Sequence, residues 1–92
     1  MADAALRLDR WLWCARIVKT RTLARDMILA GRVRLNRRKI LKPAHEVRTG
    51  DVLTIAWSER VFVWRVTAIP QRRGSAAEAR TIYEEVAGSR DG

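Results

Sequence analysis

The sequence predicts an α+β domain: a helix pair packed on a small, mainly antiparallel sheet, followed by a C-terminal helix. Three observations predict it. Apolar residues recur at helical spacing twice between Arg10 and Ile28, alternating and β-branched runs fill residues 32–69, and a Ser-Ala-Ala-Glu box opens a further helical pattern at Ser75. With 92 residues, the chain is long enough for one domain that buries about 60% of its unfolded surface without a metal.

Asp9 is placed to accept from the free N–H groups of a helix running from Arg10 to about Val18. Trp11, Leu12, Ala15 and Val18 share one face of that helix. The other side mixes Arg10 and Arg16 with Trp13 and Ile17, too much apolar surface to face water, so another element should cover it. Thr20 is a second N-cap. Leu23, Ala24, Met27 and Ile28 form the stripe of the second helix, Gly31 ends it, and Arg21 and Arg25 lie four apart on its outer side.

From Arg32 to Asn36 the chain alternates, so a strand there buries Val33 and Leu35 and presents Arg32 and Arg34. Asn36 is followed by Arg37. A tight type I′ turn wants positive φ at both central positions, and a left-handed Arg costs about 1–2 kcal/mol, so a longer loop is expected. Ile40 and Leu41 form a short return strand ended by Pro43, and Thr49 to Asp51 mark a turn. Val52 to Trp57 and Val61 to Ile69 pair as a hairpin joined by Ser58, Glu59 and Arg60. Ser75 and Glu78 fit a capping box. Ala79, Ile82, Tyr83 and Val86 then recur at helical spacing up to Gly88, a helix able to cover Trp13 and Ile17. The organisation expected is a flexible N-terminus at 1–5, the main domain at 6–69, and a helical extension at 70–92, with the SRDG end as a second flexible stretch.

The formal charge is +9, and its distribution says more than its size. Residues 1–42 carry the whole excess, whereas residues 43–92 balance. Like charges this dense repel unless a partner neutralises them, so the first half reads as a surface for a polyanion. The candidate binding residues are Arg7, Arg10, Arg16, Lys19, Thr20, Arg21, Arg25, Arg32, Arg34, Asn36, Arg37, Arg38 and Lys39. Arginine matches phosphate with two parallel donors, and Thr20, Thr22 and Asn36 can donate to phosphate or a ribose hydroxyl.

Catalysis finds little support. His45 is alone in a loop, Glu84 and Glu85 are adjacent and read as solvated, and there is no Gly-rich phosphate loop, nucleophile context or metal-ligand pattern. No cofactor is expected. Cys14 is the single cysteine, which excludes an internal disulfide and fits a reducing compartment. Trp11, Trp57 and Trp64 read as core, and Trp13 is open between packing and base stacking. No apolar run approaches the roughly 20 residues of a membrane span, and the start lacks a secretory h-region, so a cytoplasmic protein is expected.

The run RLDRWLW, the KTR opening the second helix, and AGRVRLN leading into a strand resemble the RNA-binding domain first described in ribosomal protein S4. Within that superfamily, RLDRWLWCARIVKTR is most similar to small bacterial heat-shock proteins of about fifteen kilodaltons. The resemblance covers residues 6–69, and more weakly the QRR and YEE stretches after it. It departs at Asn36-Arg37, where such domains usually have Asn-Gly. The resemblance implies a non-catalytic protein that binds structured ribosomal RNA on the large ribosomal subunit. It further implies action in recycling or rescuing stalled, peptidyl-tRNA-carrying subunits under stress, with tRNA a further partner.

Two alternatives stand beside it. One is a helix-turn-helix reader of DNA, or nonspecific DNA binding, but the second helix exposes Thr22, Arg25, Asp26 and Leu29, without an Asn or Gln to read bases. The other is a protein-interaction module using Trp13 and Ile17. A monomer that does not engage a membrane is expected.

Overall fold

The computed structural model describes residues 4–91, with side chains described through residue 86. In chain order the elements are β1 (Ala5–Arg7), α1 (Leu8–Cys14), α2 (Arg21–Leu29), β2 (Val33–Leu35), β3 (Arg38–Lys39), β4 (Glu46–Arg48), β5 (Val52–Trp57), β6 (Arg60–Val66), α3 (Ala76–Ala79) and β7 (Tyr83–Asp91). The α+β class with a helix pair on an antiparallel sheet is as the sequence predicts. Five strands form one sheet in the order β3-β2-β5-β6-β7, and β1 pairs with β4 in a separate ribbon.

The core lies between the helix pair and one face of this sheet. Leu8, Trp11 and Leu12 of α1 and Ala24, Met27 and Ile28 of α2 meet Val33, Leu53, Ile55, Trp64 and Val66 from the sheet. Trp11 is wholly buried, and its indole N–H donates to the Ala68 carbonyl at 3.2 Å, satisfying the one polar atom it brings inside. Leu23, expected in the α2 stripe, is 39% exposed.

α2 has the ends that its sequence specifies. The Thr20 hydroxyl accepts from Leu23 N–H. At the other end Gly31 takes φ +75, its N–H donates to the Ile28 carbonyl, and Arg32 N–H reaches back to the Met27 carbonyl. This is a Schellman closure, which needs a left-handed residue where glycine is least strained.

Four expectations are corrected. First, Asp9 is not an N-cap: α1 begins at Leu8, and Asp9 sits inside its first turn. Secondly, α1 stops at Cys14 rather than near Val18, because Arg16 turns left-handed at φ +61 and its guanidinium is held by the Gly74 carbonyl. Thirdly, no long loop follows β2. Asn36 and Arg37 have φ +49 and +73 and form a two-residue turn, with Leu35 paired to Arg38. The turn is braced from outside: the Asn36 side-chain oxygen accepts from Val52 N–H at 2.9 Å and its amide donates to Asp51 at 3.1 Å. The β5–β6 turn is built alike, with Ser58 and Glu59 at φ +52 and +63, so Arg60 belongs to β6.

Fourthly, the C-terminal helix does not run to Gly88. The capping box at Ser75 forms, but α3 is a single turn, and from Tyr83 the chain becomes β7, antiparallel to β6. A β6 without β7 would expose a row of unpaired backbone groups, and Thr81, Ile82 and Tyr83 are poor helix formers that suit a strand. Tyr83 lies flat on Trp64, ring centroids 3.7 Å apart, and meets Trp11 edge-on. Glu84, on this strand, pairs with Arg65. The pair β1–β4 was not anticipated. Ala5 faces Arg48 within it, so of the N-terminal stretch expected to be flexible only residues 1–3 lie outside the described chain. Of the SRDG end, the backbone of Ser89–Asp91 belongs to β7, and Gly92 lies outside the described residues. Ile40 and Leu41 fall just beyond β3 rather than inside a strand.

Candidate nucleic-acid interface

The candidate cations separate into two groups according to what their side chains touch. The first group surrounds Asp9. This carboxylate is 4% exposed and accepts from Arg7 Nε at 3.1 Å, Arg7 Nη2 at 3.0 Å and the Arg10 backbone N–H at 2.8 Å. Arg21, at the first position of α2, stands 3.6 Å from its Oδ1. Burial pushes the Asp9 carboxyl up. The Arg7 hydrogen bonds, the Arg10 amide and the charges of Arg7 and Arg21 outweigh it and hold the group below its ordinary range. Asp9 thus stays ionised and ties the starts of the two helices together.

Around this pivot opens a groove of about 840 Å³ between the helix pair and residues 41–44. Its walls carry Arg7, Arg21, Arg25 and Lys42, together with Leu29, Leu41, Pro43 and Ala44. The loop wall is fixed through its backbone, since Asp9 N–H donates to the Pro43 carbonyl and Leu8 N–H to the His45 carbonyl. The N-terminus of α2 faces the same region, and its dipole adds to the positive field there.

The β2–β3 hairpin extends this cationic surface. Arg34 and Lys39 are direct cross-strand neighbours and both are exposed, an arrangement of like charges that destabilises the bare pair. The Lys39 side chain lies across Gly31, so that a Cβ there would sit 3.4 Å from Lys39 Cδ. This sets its ammonium by the negative end of the α2 dipole. Arg37 and Arg38 occupy the turn and its exit. Among the described residues, Lys19, Arg25, Arg32, Arg34, Arg37, Arg38 and Lys39 make no ion pair or side-chain hydrogen bond. Arg32 is set apart, beside Trp57, Ser58 and Glu59. Asn36 spends its amide on the turn, and Thr20 its hydroxyl on the cap.

The second group does internal work. Arg10 donates to the Gln71 carbonyl at 2.8 Å, and Arg16 donates twice to the Gly74 carbonyl at 3.0 and 2.9 Å. From the irregular 70–74 segment that clamps this side of α1, Arg73 stacks over the Trp13 ring at 5.1 Å and donates to the carbonyls of Trp13 and Val18. The segment at 70–74, rather than a long C-terminal helix, therefore covers the Trp13 side of α1. Trp13 is half-buried under a guanidinium, so its packing role is settled in favour of structure. Tyr83 meets Trp11 and Trp64 instead.

Sequence reasoning missed Lys42, Leu29 and Leu41 as groove residues. The available signal was two leucines out of register with any apolar stripe, now 52% and 54% exposed. Elsewhere, burial pushes the Cys14 thiol up, which marks it as a packing residue rather than a reactive one. Among the described residues no three His, Cys, Asp or Glu side chains are grouped to hold a metal ion. No described helix is long and apolar enough to cross a membrane.

Comparison with known proteins places the chain among similar sequences and structures. The model of the S4 domain family matches residues 6–53. Heat shock protein 15 of Escherichia coli K12 is 43% identical over 84 residues, covering 91% of this chain and 62% of its own length. The RQC P-site tRNA stabilizing factor of Bacillus subtilis 168 is 30% identical over 82 residues, 87% of this chain and 94% of its own. A solved trimeric structure of Vibrio cholerae Heat Shock Protein 15 superposes with a TM-score of 0.85 at 37% identity, covering 91% of this chain and 84% of that one. The present chain thus spans 62% of the length of the Escherichia coli relative.

Proposed function

The chain belongs to the S4 domain family, and from that premise we propose that it is a non-catalytic RNA-binding protein. It grips structured ribosomal RNA through the α1–α2 groove and the β2–β3 hairpin. The observation that carries this reading is the set of cations without an internal partner: Arg25 in the groove with the Asp9-anchored Arg7 and Arg21, and Arg34, Arg37, Arg38 and Lys39 on the β2–β3 hairpin. Like charges this dense repel one another, and a polyanion would relieve that repulsion. Lys19 and Arg32 also lack an internal partner among the described residues, but Arg32 stands apart beside Trp57, Ser58 and Glu59. Arg10 and Arg16 belong to the binding set only through the field they add, because their donors are engaged by backbone carbonyls.

The relatives carry the reading toward the ribosome. Similarity to Heat shock protein 15 and to a factor named for stabilising P-site tRNA supports a cytoplasmic role on the large ribosomal subunit. That role is the rescue or recycling of stalled subunits that carry peptidyl-tRNA. One chain is taken as the working unit, whereas the solved Vibrio cholerae relative is described as trimeric.

The test is competition between a folded ribosomal RNA fragment and duplex DNA of equal length at one salt concentration. The RNA should bind more tightly, because the exposed residues of α2 include no base-reading Asn or Gln and Asp26 opposes phosphate. Equal or tighter binding to the DNA duplex contradicts the proposal. Sedimentation of the tagged protein through a ribosome gradient, with sequencing of crosslinked RNA, then tests the subunit assignment.

A further inference from the structure

The groove around Asp9 holds something a backbone-reading surface does not require. Leu29 and Leu41 are the two most exposed large hydrophobic side chains among the described residues, at 52% and 54%, and both line this one groove. Contact with paired RNA would satisfy the guanidinium groups through phosphate and ribose and leave both leucines facing water. The groove therefore has two chemistries side by side: the cations Arg21 and Arg25 on α2 and Lys42 on the loop, and the apolar side chains of Leu29 on α2 and Leu41 and Pro43 on the loop.

From this juxtaposition we infer that the groove receives a single unpaired nucleotide displaced from the RNA helix, its phosphate on Arg21 and Arg25 and its base against Leu29, Leu41 and Pro43. The inference rests on the RNA-binding reading above and specifies what that site takes. A nucleotide is the ligand whose halves match both chemistries, anionic at one end and a flat, largely apolar ring at the other. The groove volume of about 840 Å³ lies within the roughly 300–1,000 Å³ of clefts that take small ligands. Its walls are set before binding, since Asp9 links the helices to each other and backbone hydrogen bonds fix the loop to α1. The one carboxylate lining it is turned to Arg7, Arg21 and the Arg10 amide, so it does not repel the incoming phosphate. None of the side chains of Leu29, Leu41 and Pro43 reads a base edge, so the groove should accept any base and select for an unpaired one.

The experiment uses two RNA hairpins that differ only in one bulged nucleotide, a 2-aminopurine, within the stem. Binding of the full chain is followed by anisotropy of an end label, and the bulge by its own fluorescence. The bulged hairpin should bind about tenfold more tightly than the paired one, the effect of burying one base against aliphatic side chains. Binding should also change the 2-aminopurine emission. In the L29S/L41S double variant the preference should fall to less than about twofold. Both positions are more than half exposed, and an unaltered melting temperature shows that the fold is kept. Equal affinity of the wild-type chain for the two hairpins overturns the inference, as does a preference that survives in the double variant. In either case RNA binding that Arg25→Ala still weakens leaves the broader reading standing. Failure to bind either hairpin removes both.

Discussion

The two sides of α1 use the same residue type for opposite ends. On the side facing 70–74, Arg10, Arg16 and Arg73 donate to backbone carbonyls and, for Arg73, cover an indole ring. On the side facing α2, Arg7 and Arg21 gather on one buried carboxylate, and Arg25 beside them has no partner among the described residues. Arginine serves both because its fork of donors fits a carbonyl or carboxylate as well as a phosphate. Cation density therefore locates a region, and the acceptor already occupied decides whether a given arginine belongs to the fold or to a ligand.

The comparison breaks most readily on the clamp side. Tyr83→Ala removes a ring stacked on Trp64 and set edge-on to Trp11, and should lower stability by about 2–4 kcal/mol, measured by urea unfolding. RNA affinity, normalised to the folded fraction, should not change. A loss of affinity without a loss of stability would show that the clamp side also binds.

On the groove side Asp9 ties the two helix starts together. Its folded pKa is depressed, so the stability it supplies is fully present above its unfolded value, about 3.9, and is lost as pH falls through the lower folded value. Asp9→Asn should cost about 1–2 kcal/mol at neutral pH. It should also flatten the acid limb of the stability profile below pH ~4. An acid limb identical to that of the wild type would remove Asp9 as the pivot.

A smaller effect separates the two left-handed turns. Arg37→Gly and Glu59→Gly each relieve a non-glycine residue at positive φ and should each stabilise the fold by about 1 kcal/mol. Only Arg37→Gly should weaken RNA binding, since the hairpin tip at Glu59 carries the wrong charge for a phosphate contact. Equal binding by both variants would take the β2–β3 tip out of the interface.

What the sequence made legible was local. Thr20 and Gly31 specify the ends of α2 through hydrogen bonds within a few residues, and the alternation of Val33 and Leu35 sets which face of β2 is buried. What stayed hidden depended on distant partners. Arg16 ends α1 because a carbonyl 58 residues away holds its guanidinium. Arg37 tolerates a left-handed backbone because Asn36 is braced by Asp51 and Val52. The pattern after Ser75 fits a helix equally well as a strand until the open edge of β6 is known. In the site, the cations could be counted and Leu29 placed among the exposed positions of α2 from the sequence, whereas the carbonyls that claim Arg10 and Arg16 could not, and that Leu29 and Leu41 share one groove appears only once α2 and residues 41–44 face each other.

The claim that occupancy distinguishes these arginines is tested most directly by the salt dependence of RNA binding in two single variants. Each phosphate contact releases counterions, so a lost contact makes the log-log slope shallower by about 1. Arg25→Ala should weaken binding, reduce the slope by that amount and leave the melting temperature unchanged. Arg16→Ala should lower stability by about 1 kcal/mol and leave the slope as in the wild type. If Arg16→Ala makes the slope shallower as much as Arg25→Ala does, the division between the two sides of α1 is wrong.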